Sequence, residues 1–193
     1  MNKGSETRNL IIKNTEVLFA QKGYIAVTMT DVCVACELSR GGLYRYFSST
    51  KEIFIAILDN NINSNKNLLE RLINDKTSAK DILMGYFLQE KQAILNPNGK
   101  FHFAVQEFAF REEDQLVYFQ KRLEDSVNIL KKIFEYGQIT NEFKKFDIEA
   151  VAIHLIYFFL SLKTLSPIIL MSEEVVEKQI ALTKELIYEN NSI

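Results

Sequence analysis

The stretch TMTDVCVACELSRGGLYRYF, residues 28–47, determines the fold that the sequence predicts. Its first four residues form a capping box, in which Thr28 accepts from a free amide of the first helical turn while Asp31 reaches back to the backbone of Thr28. Ser39 is a second helix cap and predicts another helix over residues 40–47. Two short helices separated by a tight turn are typical of a helix-turn-helix motif.

The second of these helices is expected to bury Leu43 and Phe47, which lie four residues apart. Its outer face then carries a set of basic, aromatic and small residues, namely Arg40, Gly41, Tyr44 and Arg45. Each glycine in the first turn costs up to about 1 kcal/mol of helix propensity relative to alanine, which indicates that the backbone must approach another molecule closely. Arginine neutralises phosphate or pairs with guanine, and a tyrosine hydroxyl binds phosphate. The alternative is an ordinary amphipathic helix whose aromatic residues cover a small core.

The charge distribution assigns any anionic partner to the N-terminal quarter of the chain. The whole protein of 193 residues has a formal net charge of -2. Residues 1–51 nevertheless contain seven basic and four acidic residues, a net charge of +3, and the remainder carries -5. Nucleic acid is therefore a plausible partner of the first part only.

Helix signals continue through the rest of the chain. Seven glycines and two prolines leave few breakers, and we find no long alternating strand pattern. A first helix is expected from Ser5 to Lys22, ending at Gly23, with its apolar stripe on Leu10, Ile11, Asn14, Val17 and Leu18. Further starts are expected at Ser49, Ser78, near Lys100, near Glu112, at Asp147 and at Ser172. The predicted fold class is all-α.

Residues 10–54, and above all the quoted stretch, resemble the DNA-binding domain of the tetracycline-repressor (TetR) family of bacterial transcription regulators. The resemblance implies a three-helix helix-turn-helix domain, residues 1–50, joined by a long helix to a helical effector-binding and dimerisation domain, residues 51–193. It also implies a ligand-responsive repressor that binds a palindromic double-stranded operator as a homodimer and is released by a small apolar or aromatic effector.

The resemblance carries the family's DNA contacts onto nine positions: Thr28, Thr30, Arg40, Gly41, Gly42, Tyr44, Arg45, Tyr46 and Lys51. Three positions depart from the family pattern. Glu37 stands where the turn usually has a glycine, and Gly42 replaces a threonine. Thr50 replaces a phosphate-binding lysine, so the neighbouring Lys51 is predicted as its substitute.

The helical body is expected to hold the effector among aromatic residues interleaved with a few polar ones. Candidate pocket residues are Met84, Phe87, Phe103, Gln106, Glu107, Phe108, Tyr118 and Tyr157. For any one of these residues a place in the core is an equally ordinary interpretation.

The last two helices are predicted to pair with their two-fold copies in a four-helix bundle. The first is apolar on more than one face, and the second carries a broad apolar stripe. Candidate interface residues are Tyr157, Leu160, Val176, Gln179, Ile180, Thr183, Leu186 and Ile187.

No cofactor or metal site is predicted, because Cys33 and Cys36 lack a second ligand pair. We interpret them as small core residues, with a thiol switch as the alternative. The apolar stretch 150–171 is long enough to raise the question of a membrane span, but His154 and Lys163 favour a buried helix. The sequence start has no apolar signal core, which predicts a cytoplasmic protein.

Two other functions stay open at this level: a helical protein-interaction module, and an unrecognised small-molecule enzyme without DNA binding. The sequence contains none of the HExxH, GxSxG or GxGxxG motifs, so we expect no enzyme.

Overall fold

The structure is a computed structural model, and it describes residues 3–96, 101–166 and 168–188. Over these residues every regular element is helical, which confirms the all-α prediction. The helices are α1 Lys3–Lys22, α2 Met29–Cys36, α3 Arg40–Tyr44, α4 Thr50–Asn74, α5 Ala79–Leu95, α6 Phe101–Arg111, α7 Leu116–Ile139, α8 Ile148–Leu165 and α9 Glu173–Ile187. A 3-10 turn, Glu113–Gln115, precedes α7.

Most of the helix starts lie where the capping residues predict them. Ser78, Asp147 and Ser172 each accept a hydrogen bond from the backbone amide three residues later, at 3.0, 3.0 and 3.3 Å. These bonds satisfy amides that the first helical turn leaves free. Lys100, near which another start was expected, lies outside the described residues. The start expected near Glu112 is the 3-10 turn that leads into α7.

The buried face of α1 differs from the predicted stripe. Ile11 is buried as expected, but Leu10 and Val17 are 49% and 54% exposed. The core side of the helix instead carries Ile12 and Phe19 beside Ile11. Neighbouring residues differ by about 100° around a helix axis, so an error of one position turns the predicted face away from the core.

The chain forms two compact units, each built from two segments of the sequence. The first unit comprises Met1–Asn63 and Asn98–Leu116, and the second comprises Ser64–Pro97 and Val117–Ile193. Helix α4 therefore contributes to both units. Helix α6 belongs to the first unit, together with the three N-terminal helices.

The core of the first unit is an aromatic cluster to which α6 contributes directly. The ring of Phe108 lies 4.8 Å from that of Phe54 and 4.9 Å from that of Tyr24, and Phe19 lies 4.8 Å from Phe54. Phe19, Phe54 and Phe108 are completely buried. Such aromatic pairs stabilise a fold by about 0.5–1.5 kcal/mol each beyond the burial of their area.

The second unit buries one face each of α5, α7, α8 and α9 in a common core. Phe87, Phe134 and Phe159 are its largest fully buried side chains. At its edge, the ammonium of Lys163 lies 2.8 Å from the carboxylate of Glu90, and both side chains are only 13% exposed. A largely buried charge requires such a partner because it has lost most of its hydration.

Helix α8 is long and apolar enough to cross a membrane by length and composition alone, with a mean hydropathy of 1.6 over 18 residues. A core helix passes the same test. Ala152, Leu155 and Phe159 are buried in the second unit, and Lys163 is paired with Glu90. Other apolar residues of α8, among them Ile153, Tyr157 and Leu160, are exposed on the single chain.

Candidate nucleic-acid interface

Helix α2 begins with the predicted capping box. Thr28 Oγ1 accepts from the amide of Asp31 at 3.2 Å, and Asp31 Oδ2 accepts from the amide of Thr28 at 2.9 Å. Asp31 also binds the ammonium of Lys22 at 2.7 Å. Lys22 first, and then Thr28, hold the pKa of the Asp31 carboxyl well below its usual range. The box fixes the start of α2 while Thr28 and Thr30 remain exposed.

The turn after α2 explains why a glycine is usual there. Glu37 lies in the left-handed region, with φ 54° and ψ 37°. Its amide donates to the carbonyl of Val34 at 3.2 Å, and the amide of Leu38 donates to that of Cys33 at 3.0 Å. The turn therefore closes in the form that glycine favours, with a side chain in its place.

Helix α3 is capped as predicted but is shorter. Ser39 Oγ accepts from the amide of Gly42 at 3.1 Å. The α-helix ends at Tyr44 rather than Phe47, and the amides of Tyr46 and Phe47 both donate to the carbonyl of Leu43, at 2.9 and 3.1 Å. The last turn is tightened, as is common at helix ends.

The two faces of this segment are distributed as the sequence predicts. Leu43 and Phe47 are buried, at 0% and 1% exposure. The exposed residues are Arg40, Gly41, Tyr44 and Arg45, while Gly42 and Tyr46 are half-buried. A Cβ atom placed on Gly41 would meet no heavy atom within 4 Å. Packing within the described protein therefore does not account for a glycine at this position.

The start of α4 follows α3 and residues 45–47, which together are here called the recognition segment, residues 40–47. Ser49 Oγ accepts from the amide of Glu52 at 3.2 Å, as the STKE pattern predicts. The Glu52 carboxylate accepts instead from the amide of Ser48, at 2.7 Å. Lys51, the predicted phosphate contact, has its ammonium 3.0 Å from Glu112 Oε2 and 2.9 Å from Asp114 Oδ1.

Helix α6 holds the turn between α1 and α2 by a contact that the sequence did not predict. Glu107 Oε2 accepts from the backbone amides of Tyr24 and Ile25, at 2.6 and 3.4 Å. Gly23 adopts φ 82° and ends α1, as expected, and a Cβ atom there would collide with the Glu107 carboxylate. The partners are more than 80 residues apart, so no local pattern reveals them.

Tyr24 makes a second connection to the end of α6. Its hydroxyl donates to Glu112 Oε1 at 2.9 Å. Burial first, and then this carboxylate, raise the pKa of the phenol well above its usual value. The two oxygens of Glu112 therefore have different partners, since Oε2 faces Lys51.

The predicted pocket residues are divided between the two units. Phe103, Gln106, Glu107 and Phe108 belong to the first unit, and Met84, Phe87, Tyr118 and Tyr157 to the second. Phe87 and Phe108 are core residues at 1% and 0% exposure, and Glu107 is engaged with the α1–α2 turn. Met84, Phe103 and Tyr157 are exposed.

The second unit contains a surface cavity of about 320 Å³ between α7 and α8. It is lined by Leu123, Glu124, Val127, Asn128, Glu149, Ile153 and Tyr157, so only Tyr157 comes from the predicted set. A second groove, of about 480 Å³, lies between the end of α4 and α7 and has a mostly charged lining.

Four of the predicted interface residues need correction. Val176, Ile180, Thr183 and Ile187 are 0–7% exposed because they pack into the core of their own unit. They are therefore not on the surface of the protomer.

The other predicted interface positions remain accessible. Tyr157, Leu160 and Leu186 are exposed, and Gln179 is half-buried. The outer face of α9 also exposes Val175 and Leu182, at 51% and 56%, which belong to the broad apolar stripe of this helix.

Cys36 is buried in the first unit and Cys33 is half-buried. Burial raises the pKa of the Cys36 thiol, which disfavours the reactive thiolate. In the part of the chain that the structure describes, no three histidine, cysteine or acidic side chains are grouped to hold a metal ion.

The capped pair α2–α3 with its basic exposed face defines a helix-turn-helix DNA-binding protein. Two family models match the chain: "bacterial regulatory proteins, tetR family" over residues 11–57, and "tetracyclin repressor-like, C-terminal domain" over residues 83–176. The chain belongs to the TetR family of bacterial transcription regulators and is a DNA-binding transcriptional regulator.

Individual relatives are distant. An uncharacterised HTH-type transcriptional regulator of Bacillus subtilis, YfiR, is 25% identical over 136 residues, which is 69% of this chain and 66% of the relative. The reduced form of Escherichia coli NemR has a TM-score of 0.78 at 19% identity, covering 94% of this chain and 98% of that one. The ketosteroid transcriptional regulator KstR2 of Mycobacterium tuberculosis has a TM-score of 0.60 at 18% identity, covering 94% and 95%. These two structures establish similarity of fold.

Proposed function

We propose that this protein is a ligand-responsive repressor that binds a palindromic operator as a homodimer. The observation that carries the proposal is the exposed face of α3, where Arg40, Tyr44 and Arg45 surround a glycine that leaves open space. A major groove admits a helix, and a missing side chain lets the backbone come closer to the DNA.

The proposed contacts divide into two kinds. Thr28, Tyr44, Arg45 and Lys51 bind phosphates and fix the position of the helix-turn-helix, whereas Arg40, at the start of α3, reads a base edge. Thr30, Gly41, Gly42 and Tyr46 complete the surface that approaches the duplex.

The proposed dimer rests on exposed apolar area. Helix α8 exposes Ile153, Tyr157 and Leu160, and α9 adds Val175, Leu182 and Leu186. A stable isologous interface would bury these residues against their two-fold copies in a four-helix bundle. Two recognition segments related by this symmetry would occupy half-sites about 34–36 Å apart, or a multiple of that spacing.

The proposed effector is a small apolar or aromatic compound that binds in the second unit. The core of that unit contains Phe87, Phe134, Phe143 and Phe159, and the surface cavity beside Tyr157 supports a binding place between α7 and α8. KstR2, a structural relative, is by name a ketosteroid regulator. Family membership suggests a regulator rather than an enzyme, acting in the cytoplasm where the DNA is.

The DNA-binding face is tested by Arg45→Ala and Arg40→Ala, with Lys121→Ala, an exposed lysine of α7, as the control that removes the same charge. Arg45→Ala should weaken binding to all sequences alike and make the salt dependence shallower by roughly one phosphate. Arg40→Ala should cost about 1–3 kcal/mol and relax the preference at one position per half-site. Unchanged affinity in both arginine variants would refute the proposed interface.

The proposed coupling of effector binding to operator binding is tested by calorimetric titration of a compound from a screen into the free protein and into its operator complex. An inducer must bind the two forms with affinities that differ by the factor with which it weakens DNA binding, typically about 5–150-fold. Equal affinities would show that the compound is not coupled to the operator.

A further inference from the structure

Lys51 occupies an unusual electrostatic position in the first turn of α4. The start of a helix carries partial positive charge, which disfavours a cation there. Two carboxylates compensate, because the ammonium lies 3.0 Å from Glu112 and 2.9 Å from both oxygens of Asp114. These acids, Asp114 first, raise the pKa of Lys51, so the residue stays charged.

The two carboxylates are held differently. Glu112 is 22% exposed and receives a second hydrogen bond, from the hydroxyl of Tyr24 at 2.9 Å. Asp114 is 68% exposed and lies in the 3-10 turn that follows α6. Asp114 is therefore the partner that water, salt or another anion can replace most easily.

We propose that Asp114 is an internal competitor of the operator phosphates for the ammonium of Lys51, and that it thereby sets an upper limit on operator affinity. This inference rests on the proposed role of Lys51 as a phosphate contact at the start of α4. An ammonium has three donors, and in this structure it already faces two carboxylates.

Competition follows from charge as well as from donor number. A phosphate that approached the intact pair would meet the negative charge of Asp114 beside the positive charge that attracts it. Binding must therefore either move Lys51 away from Asp114 or lose its attraction. In the first case the lost ion pair offsets part of the phosphate contact, and in the second the phosphate contact itself is weaker.

A purely structural role for the pair makes the opposite prediction. If Asp114 served to hold α4 in position for DNA binding, its removal would weaken the operator complex. Because an ion pair this exposed contributes little to folding, the two roles can be separated by affinity measurements on folded variants.

The test compares Asp114→Asn with the wild type in both a Lys51 and a Lys51→Ala background. Asp114→Asn should bind the operator about two- to fivefold more tightly, the range expected for loss of one exposed ion pair. Its double-logarithmic salt dependence should be steeper by up to about 0.9 per protomer, because Lys51 then neutralises a phosphate fully. In the Lys51→Ala background the same change should have no effect.

Asp75→Asn is the matched control, since it removes an exposed carboxylate from the turn after α4 in the second unit. Circular dichroism and thermal unfolding verify that each variant is folded. Unchanged or weaker operator binding by Asp114→Asn, or an equal gain without Lys51, would overturn the inference. Arg45→Ala, measured in the same assay, separates this failure from failure of the proposed interface, since it should weaken binding whatever Asp114 does.

Discussion

The exposed faces of α3 and α9 differ in what they require from a partner. Helix α3 buries Leu43 and presents arginine, tyrosine and glycine to solvent. Helix α9 buries four residues in its own core and still presents Val175, Leu182 and Leu186 on its outer side. The exposed face of α3 is well hydrated without a partner, whereas the outer face of α9 leaves apolar side chains in contact with water.

This difference separates two kinds of recognition in one chain. Charged and polar groups on α3 are well hydrated in the free protein, so they suit a partner that associates reversibly. Exposed apolar side chains gain by permanent burial, so the outer face of α9 suits a stable contact between copies.

A charge placed on either side of α9 should have the largest effect, and a different one on each side. Ile180→Asp should destabilise the second unit by several kcal/mol, because an unpaired carboxylate would be buried in its core. Leu182→Asp should leave the fold intact and disrupt only the dimer. Circular dichroism measures the first effect and sedimentation velocity the second. An unfolded Leu182→Asp variant, or one that is still a dimer, would contradict this division of faces.

The aromatic cluster tests whether α6 is part of the DNA-binding unit. Phe108→Ala should reduce the free energy of unfolding by about 3–5 kcal/mol, since it leaves a cavity among fully buried rings. Phe110→Ala, on the same helix but 86% exposed, should change it little. Denaturant unfolding monitored on both variants provides the measurement. Equal effects would remove α6 from this core.

Gly23 tests the contribution of α6 to the first unit at a single residue, through its contact with Glu107. Gly23→Ala should destabilise the first unit by about 1–2 kcal/mol for the left-handed backbone alone, and further because its Cβ displaces the Glu107 carboxylate. In a Glu107→Ala background only the backbone penalty should remain. A double-mutant cycle in denaturant measures the difference. No coupling between the two positions would exclude the contact.

A pH dependence is expected from the start of α2. Because Lys22 and Thr28 lower the pKa of Asp31, its ionised form stabilises the fold. This contribution is complete above the unfolded-state pKa of about 3.9 and is lost as the pH falls through the lower folded-state value. The wild type should therefore lose more stability than Asp31→Asn between pH 5 and pH 2. Thermal unfolding over this range, at constant salt, checks the prediction; parallel curves would count against it.

The smallest change that we expect is an increase in the free energy of unfolding. Glu37→Gly relieves a left-handed side chain at φ 54°, and the added chain entropy of glycine offsets part of this. We expect a net stabilisation of about 0.5 kcal/mol with unchanged operator affinity. Glu135→Gly, in the interior of α7, is the control and should destabilise the protein. Destabilisation by Glu37→Gly would mean that the Glu37 side chain has a role in the turn.

Local signals in the sequence account for what could be predicted. Thr28, Ser39, Ser78 and Ser172 each cap a helix within three residues, and such short patterns survive without knowledge of the fold. The exposed face of α3 follows in the same way from the spacing of its buried residues.

The errors concern contacts between distant segments. Helix α9 is apolar on two sides, and spacing alone does not say which side faces its own core. The prediction therefore placed Ile180 at the dimer surface. Glu107 is predicted as a pocket residue because it is interleaved with aromatic residues. Its contact with the amide of Tyr24, 83 residues earlier, leaves no local pattern.

The inclusion of α6 in the first unit has a consequence for engineered regulators. A chimera that joins residues 1–50 to the body of another regulator would lack Phe108, which packs in the core of the DNA-binding unit, and Glu107, which holds the α1–α2 turn. The transplanted segment would also lack Phe54, and it would expose Tyr24 to solvent. A DNA-binding unit that can be transferred must therefore include residues 98–116, or the other regulator must supply an equivalent helix.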